Sequence, residues 1–318
     1  MNKKMLKNVE WAILICALIL LTIGVVALFS ATGESGAGEY KRQILWGVVS
    51  IPIVIIIIFI DYNLIAKISP VLYGLALISL VAVLFTAPIN GASSWFRISE
   101  TLTIQPSEFT KVIVILFMSY VIVLFQKQEK SEINKIWKLA LVILAAVVPM
   151  GLIIMQPDYG TVMAFAVATA FILYSAGVDK KYIIAVILIV VIAVPLAYIY
   201  ILPEHAKSRI DVFLNPELDP RGAGYNLIQS KLAIGSGQLV GMGIFMGNQT
   251  QLGYLYPKAT DFIFSVIGEE MGFVVAALVI ILYVIMITKA VYVAKTAKDD
   301  LGGYIAIGIA RNIYIPYG

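Results

Sequence analysis

The chain has 318 residues, of which 61% are hydrophobic and only 13% charged, with 23 Lys and Arg against 19 Asp and Glu. An ordinary soluble domain is nearer half apolar and a quarter charged, so a water-soluble globular fold is excluded. The net charge of +4 sits on lysines in short loops and offers no basic face for nucleic acid. The one cysteine, Cys16, has no internal disulfide partner, and the one histidine, His205, sits in a polar stretch, so a Cys/His metal centre is not expected.

A bilayer span needs about 20 mostly apolar residues. In chain order, such runs fall near 11–31, 44–60, 70–88, 107–125, 139–155, 160–177, 182–202 and 262–288, and a further run opens near 301. They are apolar without alternation, which predicts helices and not barrel strands. The expected fold is an all-α polytopic membrane protein of about nine spans. Lys3, Lys4 and Lys7 precede the first run, which is too long for the apolar core of a cleaved signal (about 7–15 residues) and reads as a retained span.

With the N-terminus in the cytoplasm, the inside segments hold Lys67, Lys127, Lys130, Lys135, Lys138, Lys180, Lys181, Lys289, Lys295 and Lys298, and the short outside loops hold only Lys41, Arg42 and Arg97. Three features then fall outside: the 89–106 loop with Trp95, Phe96 and Arg97, the connection Gln156-Pro157-Asp158-Tyr159-Gly160, and a long extracytoplasmic segment, 203–261. Within that segment Leu227, Ile228, Leu232 and Ile234 have the spacing of a short interfacial helix. Gly235, Gly237, Gly241, Gly243 and Gly247 follow, and read either as close backbone packing with a re-entrant turn or as a flexible loop.

Charges in or beside spans are costly and therefore informative. Glu108 and Lys111, three apart, share a helix face, as a structural ion pair or as a polar floor beneath an outward cavity. Asp158 precedes the sixth span; it reads as a helix cap or as a general base. Asp261, Glu269 and Glu270 form the third set. Glu269 lies about 12 Å deeper than Asp261 along a helix, and at least one of the two glutamates should face the protein interior or a wet cavity. Their plainer readings are a cap for Asp261 and buried hydrogen bonding for the glutamates.

Several motifs occur in fixed order: Gly91-Ala92-Ser93-Ser94-Trp95-Phe96-Arg97, Gln105-Pro106-Ser107-Glu108-Phe109-Thr110-Lys111, Gln156-Pro157-Asp158-Tyr159-Gly160-Thr161, Phe213-Leu214-Asn215-Pro216-Glu217, Gly224-Tyr225-Asn226, Ala233-Ile234-Gly235-Ser236-Gly237 and Thr260-Asp261-Phe262-Ile263-Phe264 through Gly268-Glu269-Glu270. Together they resemble the SEDS family (shape, elongation, division and sporulation), with forms nearer the RodA branch than the FtsW branch. The resemblance implies a peptidoglycan glycosyltransferase of the bacterial cytoplasmic membrane. It would polymerise lipid II at the outer face for cell-wall elongation and shape, with a class B penicillin-binding protein as transpeptidase partner.

On this resemblance Asp158 is the catalytic aspartate, and Glu108 and Lys111 line the central cavity. Arg97, Lys111, Arg209 and Lys231 are candidates to offset the leaving pyrophosphate, with Asp261 and Glu269 counted among the substrate-facing residues. No protein metal site is expected; a divalent cation, Mg or Mn, is the one cofactor the chemistry leaves room for. The family has ten spans, and the ending Arg311–Gly318 does not match its final motifs, so one integral membrane domain lacking the last helical region is expected. Two rival readings stand beside this one: a lipid II flippase, and a non-catalytic scaffold for the penicillin-binding protein.

Overall fold

The computed structural model describes residues 9–312, apart from 33–37, 88–92, 99–102, 202–203 and 223. The ending Arg311–Gly318, expected to differ from the family's final motifs, thus lies largely outside the described residues. The described chain is helical, with one two-stranded hairpin. Six helices are long and apolar enough to cross a bilayer: α1 (Trp11–Thr32), α2 (Glu39–Phe59), α3 (Tyr62–Val83), α4 (Pro106–Phe125), α5 (Ile136–Ile154) and α11 (Ile263–Thr296). The expected spans near 160–177 and 301 are the shorter apolar helices α6 (Tyr159–Ser175) and α12 (Asp300–Asn312). The one near 182–202 is α7 (Lys180–Leu196), continued by a π-helical turn, Ala197–Ile201. The long segment holds α8 (Glu204–Leu214), α9 (Tyr225–Ser236) and the one-turn α10 (Asn248–Gln251).

Ile51, Ile53, Ile55, Ile56 and Ile57 of α2 are 50–58% exposed. So many exposed isoleucines on one element mean that hydrocarbon, not water, is the solvent they meet. Pro52, Pro70 and Pro149 lie inside helices, a placement membrane helices accept where neighbours satisfy the freed carbonyls.

The chain divides into two compact units. One runs from Phe59 to Val186 and resumes at Met286. Here α3, α4, α5, α6 and α12 pack around a core that includes Leu80, Met118, Ile122, Val142, Ile153, Phe165 and Ile172. Two of the helix starts have a local cause. The Asp61 carboxylate accepts the Asn63 N–H at 2.9 Å ahead of α3. Pro106 opens α4 at a position where its missing N–H costs nothing.

The helices alternate in direction, so this unit has two polar ends. At one end Lys130 pairs with Asp300 at 2.8 Å, and Glu132 pairs with both Lys135 and Lys138 at 2.6 Å. The Lys135 and Lys138 ammonium groups hold the Glu132 carboxyl below its ordinary value. Tyr62 donates to Asp299, and Tyr304 to Gln126, which itself donates to the Ala176 carbonyl. The other end carries Asp158. There the hairpin pairs β1 (Phe96–Arg97) with β2 (Thr103–Ile104), inside what the sequence read as a plain loop.

The other unit takes residues up to Ile58 and Ile187–Ile285. Its core gathers Ala27 of α1 against Ile267, Ala276 and Val279 of α11. The short helix expected at Tyr225–Ile234 is present as α9.

Candidate functional site

In the first unit, Asp158 sits between α5 and α6. One carboxylate oxygen accepts the Thr161 N–H at 3.1 Å, the N-cap bond of α6. The other accepts from Gln105 Nε2 at 2.8 Å. Gln105 immediately precedes α4, so this bond joins the starts of two helices whose dipoles both present positive ends. Neighbouring polar groups secure the connection: Ser94 Oγ donates to the Gln156 carbonyl at 3.2 Å, and Gln156 Nε2 to the Leu80 carbonyl at 3.2 Å. Gln156 is fully buried. The capping reading of Asp158 is therefore what the geometry displays, and the carboxylate is half-buried.

Lys111, one turn into α4, is 6% exposed and reaches Glu108 at 3.0 Å. Glu108 keeps 43% of its side chain exposed. The apolar stem of Lys111 lines a cavity of about 10 Å³ with Val114, Met118, Phe165 and Ile172. That volume admits about one water, so this cavity is no substrate chamber. Arg97 is exposed on β1.

In the second unit, Asp261 is exposed two residues ahead of α11, and its carboxylate takes no hydrogen bond or ion pair among the described residues. It is not the cap of that helix. Glu269 is fully buried and accepts three hydrogen bonds: Gln249 N–H at 2.7 Å, Thr250 N–H at 3.0 Å and Thr250 Oγ at 2.7 Å. It caps α10 from a distant part of the chain. Glu270, 2% exposed, accepts from Gln251 Nε2 at 2.7 Å. Both glutamates face protein, and the buried hydrogen-bonding reading describes them. Lys231 is exposed on α9. Arg209 stands on α8, and its side chain lies outside what the structure describes.

The candidate residues thus form two sets, one in each unit. Sequence reasoning missed Gln105, Gln249, Thr250 and Gln251. The available signal was slight: uncharged amides and a hydroxyl beside a span or inside an otherwise apolar stretch. Among the described residues, no three His, Cys, Asp or Glu side chains converge to hold a metal ion.

Long apolar helices, lipid-facing isoleucines, and carboxylates either capping helices or enclosed by protein define a polytopic α-helical membrane protein. The chain belongs to the cell cycle protein family of FtsW, RodA and SpoVE, whose sequence model matches residues 10–317. It is 34% identical over 316 residues to the probable peptidoglycan glycosyltransferase FtsW of Trichlorobacter lovleyi, covering 96% of this chain and 81% of that one. It is 32% identical over 309 residues to the peptidoglycan glycosyltransferase MrdB of Escherichia coli K12, covering 97% and 82%. Among solved structures, a chain from a peptidoglycan synthase complex that coordinates polymerization and crosslinking superposes with a TM-score of 0.77 at 23% identity, over 95% of this chain and 83% of that one. RodA of Thermus thermophilus gives 0.66 at 20% identity, over 95% and 81%. The two solved structures speak for the fold.

Proposed function

We propose that this chain is a peptidoglycan glycosyltransferase of the bacterial cytoplasmic membrane, polymerising lipid II at the outer face beside a class B penicillin-binding protein. The observation that carries this reading is the match to curated glycosyltransferases over nearly the whole chain. In the reaction a sugar 4-hydroxyl attacks the anomeric carbon of a second lipid-linked unit. The bond to undecaprenyl pyrophosphate breaks, and a base takes the hydroxyl proton. Cations offset the charge on the leaving pyrophosphate. Arg97, Lys111, Arg209 and Lys231 are proposed for that role, and a divalent cation, Mg or Mn, would travel with the substrate phosphates.

Two carboxylates compete for the role of base. Asp158 is the choice the family resemblance makes, but both of its oxygens already accept hydrogen bonds. Asp261 is exposed with its acceptor sites open. A base needs a lone pair within hydrogen-bond reach of the proton it removes; of the roughly four acceptor sites of a carboxylate, Asp158 has part committed to the helix starts and Asp261 has none committed among the described residues, so the geometry favours Asp261 as base and gives Asp158 a positioning role at the helix starts. The test uses purified full chain and lipid II in detergent, where there are no membrane sides to cross. Asp261→Asn should abolish polymer formation with an unchanged melting temperature. Asp158→Asn, which keeps an acceptor for the cap, should slow polymerisation without abolishing it. Abolition by Asp158→Asn alone, at unchanged melting, returns the base to Asp158. Absence of polymer from the parent chain, with penicillin-binding protein still retained on it, favours the scaffold reading over both.

A further inference from the structure

We propose that residues 237–247 form a re-entrant segment that enters the bilayer hydrocarbon and docks into a break in α11, so that acyl chains cover its outer side. The inference rests on the membrane class of the fold and not on the glycosyltransferase reading; either can fail without the other.

The break is at Gly272, where the backbone takes φ 80° and ψ 180° inside the helix. Only glycine adopts that conformation readily. Gly272 lies nine residues past Ile263, about 13 Å along the axis, which is a substantial fraction of a hydrocarbon core of about 30 Å. A break there removes the rungs that Phe273 and Val274 N–H would make to the Glu269 and Glu270 carbonyls, four residues back. In hydrocarbon no water is at hand to satisfy an orphaned group, so each must find a partner in the protein.

The glycine-rich segment satisfies all four. Met242 N–H donates to the Glu269 carbonyl at 2.9 Å and Gly243 N–H to the Glu270 carbonyl at 3.0 Å; Phe273 N–H donates to the Gln238 carbonyl at 2.8 Å and Val274 N–H to the Leu239 carbonyl at 3.1 Å. The close approach explains the glycines. A Cβ on Gly237 would run into the Gly268 and Glu269 carbonyls, and one on Gly241, at φ 84°, into that of Glu270. The N-terminus of α10 follows and takes the Glu269 carboxylate, so one continuous stretch completes the broken ladder and neutralises the need of a buried charge.

The outer side of the stretch identifies its solvent. Leu239, Val240 and Met246 are 66–81% exposed, and no charged residue stands between Lys231 and Lys258. A water-facing loop of this length with bare aliphatic tips and no charge is a poor fit to water; non-helical backbone held by protein on one side, with apolar tips on the other, fits lipid.

The test places single spin labels in the full chain in lipid nanodiscs, at Val240→Cys, Ile244→Cys and Met246→Cys. Cys16 is buried, which keeps the background silent. Ile281→Cys on α11 and Glu217→Cys on the outer segment serve as lipid and water references. Relaxation by oxygen with exclusion of a water-soluble nickel chelate, as at Ile281, is the expected result. Nickel access like that of Glu217 overturns the proposal, and so does exclusion of both reagents, which would mean that a second copy of the chain covers the segment. The labelled side chains are exposed, so the fold is not at risk, and a melting temperature matching the parent's checks this for each label.

Discussion

At the scale of single residues, buried carboxylates divide by what they accept. Glu269 takes three donors, two of them backbone N–H groups at the start of α10, and these have nowhere else to turn. Hydrogen bonds to a charged acceptor are worth about 1.5–3 kcal/mol each, and a stranded buried donor costs about 1–3 kcal/mol. Glu269→Ala should therefore lose at least about 3 kcal/mol of stability, seen as a lowered melting temperature in detergent, while Glu269→Gln, which keeps a carbonyl oxygen, should lose less. If Glu269→Ala melts with the parent, the capping account is wrong. If Glu269→Gln melts normally but polymerises nothing, Glu269 has a chemical role that its hydrogen bonds do not reveal. That Glu269 or Glu270 turns inward followed from the cost of a charge in lipid. Which groups receive them did not, because Gln249, Thr250 and Gln251 arrive through a tertiary contact that no spacing rule encodes. Asp158 shows the same limit: its cap bond to Thr161 is local and readable, whereas its bond to Gln105 crosses from another helix.

Among elements, the uninterrupted apolar runs were legible because length and hydrophobicity alone decide whether a helix can lie in hydrocarbon. Interruptions were not legible. In the run from Ile263 to Thr296, Gly268, Glu269 and Glu270 stand just ahead of Gly272, a pattern that also suits a packing site beside buried carboxylates, and glycines are common in membrane helices, so the sequence does not single out Gly272 as a break. The hairpin of β1 and β2 was equally hidden, since strands of two residues carry no period. Glycines at helix contacts have a different use. A Cβ on Gly308 of α12 would lie 2.6 Å from Ile115 Cγ2 and 2.9 Å from Ile172 Cδ1. Those side chains sit in or beside the packed core of the first unit, so relief requires a rotamer change or a shift of α12. Gly308→Ala should destabilise by about 1–3 kcal/mol through overpacking, and pairing it with Ile172→Val, which removes the Cδ1 methyl 2.9 Å from the added Cβ, should recover part of the loss. Recovery is the informative readout: a loss that Ile172→Val leaves unchanged would locate the effect in the backbone and not in this contact.

Over the whole molecule, orientation follows from where lysines collect. Lys130, Lys135, Lys138 and Lys181 crowd one end of the first unit, each with a carboxylate partner, and Asp158 lies at the other end. Moving one elementary charge across the membrane potential is worth about 2.3 kcal/mol per 100 mV, and loops rich in Lys and Arg stay on the cytoplasmic side during insertion. On that rule the lysine end is expected in the cytoplasm and the Asp158 end outside, which is where a sugar donor presented on the outer leaflet would be met. Two cysteines in this one unit test the assignment without reference to the other: Tyr159→Cys, 64% exposed beside Asp158, and Lys298→Cys at the lysine end. In intact spheroplasts an impermeant maleimide should label the first and reach the second only after permeabilisation. The reverse pattern would put both the cap of α6 and the start of α4 in the cytosol, and no polymerisation on the outer leaflet could then involve Asp158, Gln105 or the Glu108–Lys111 pair.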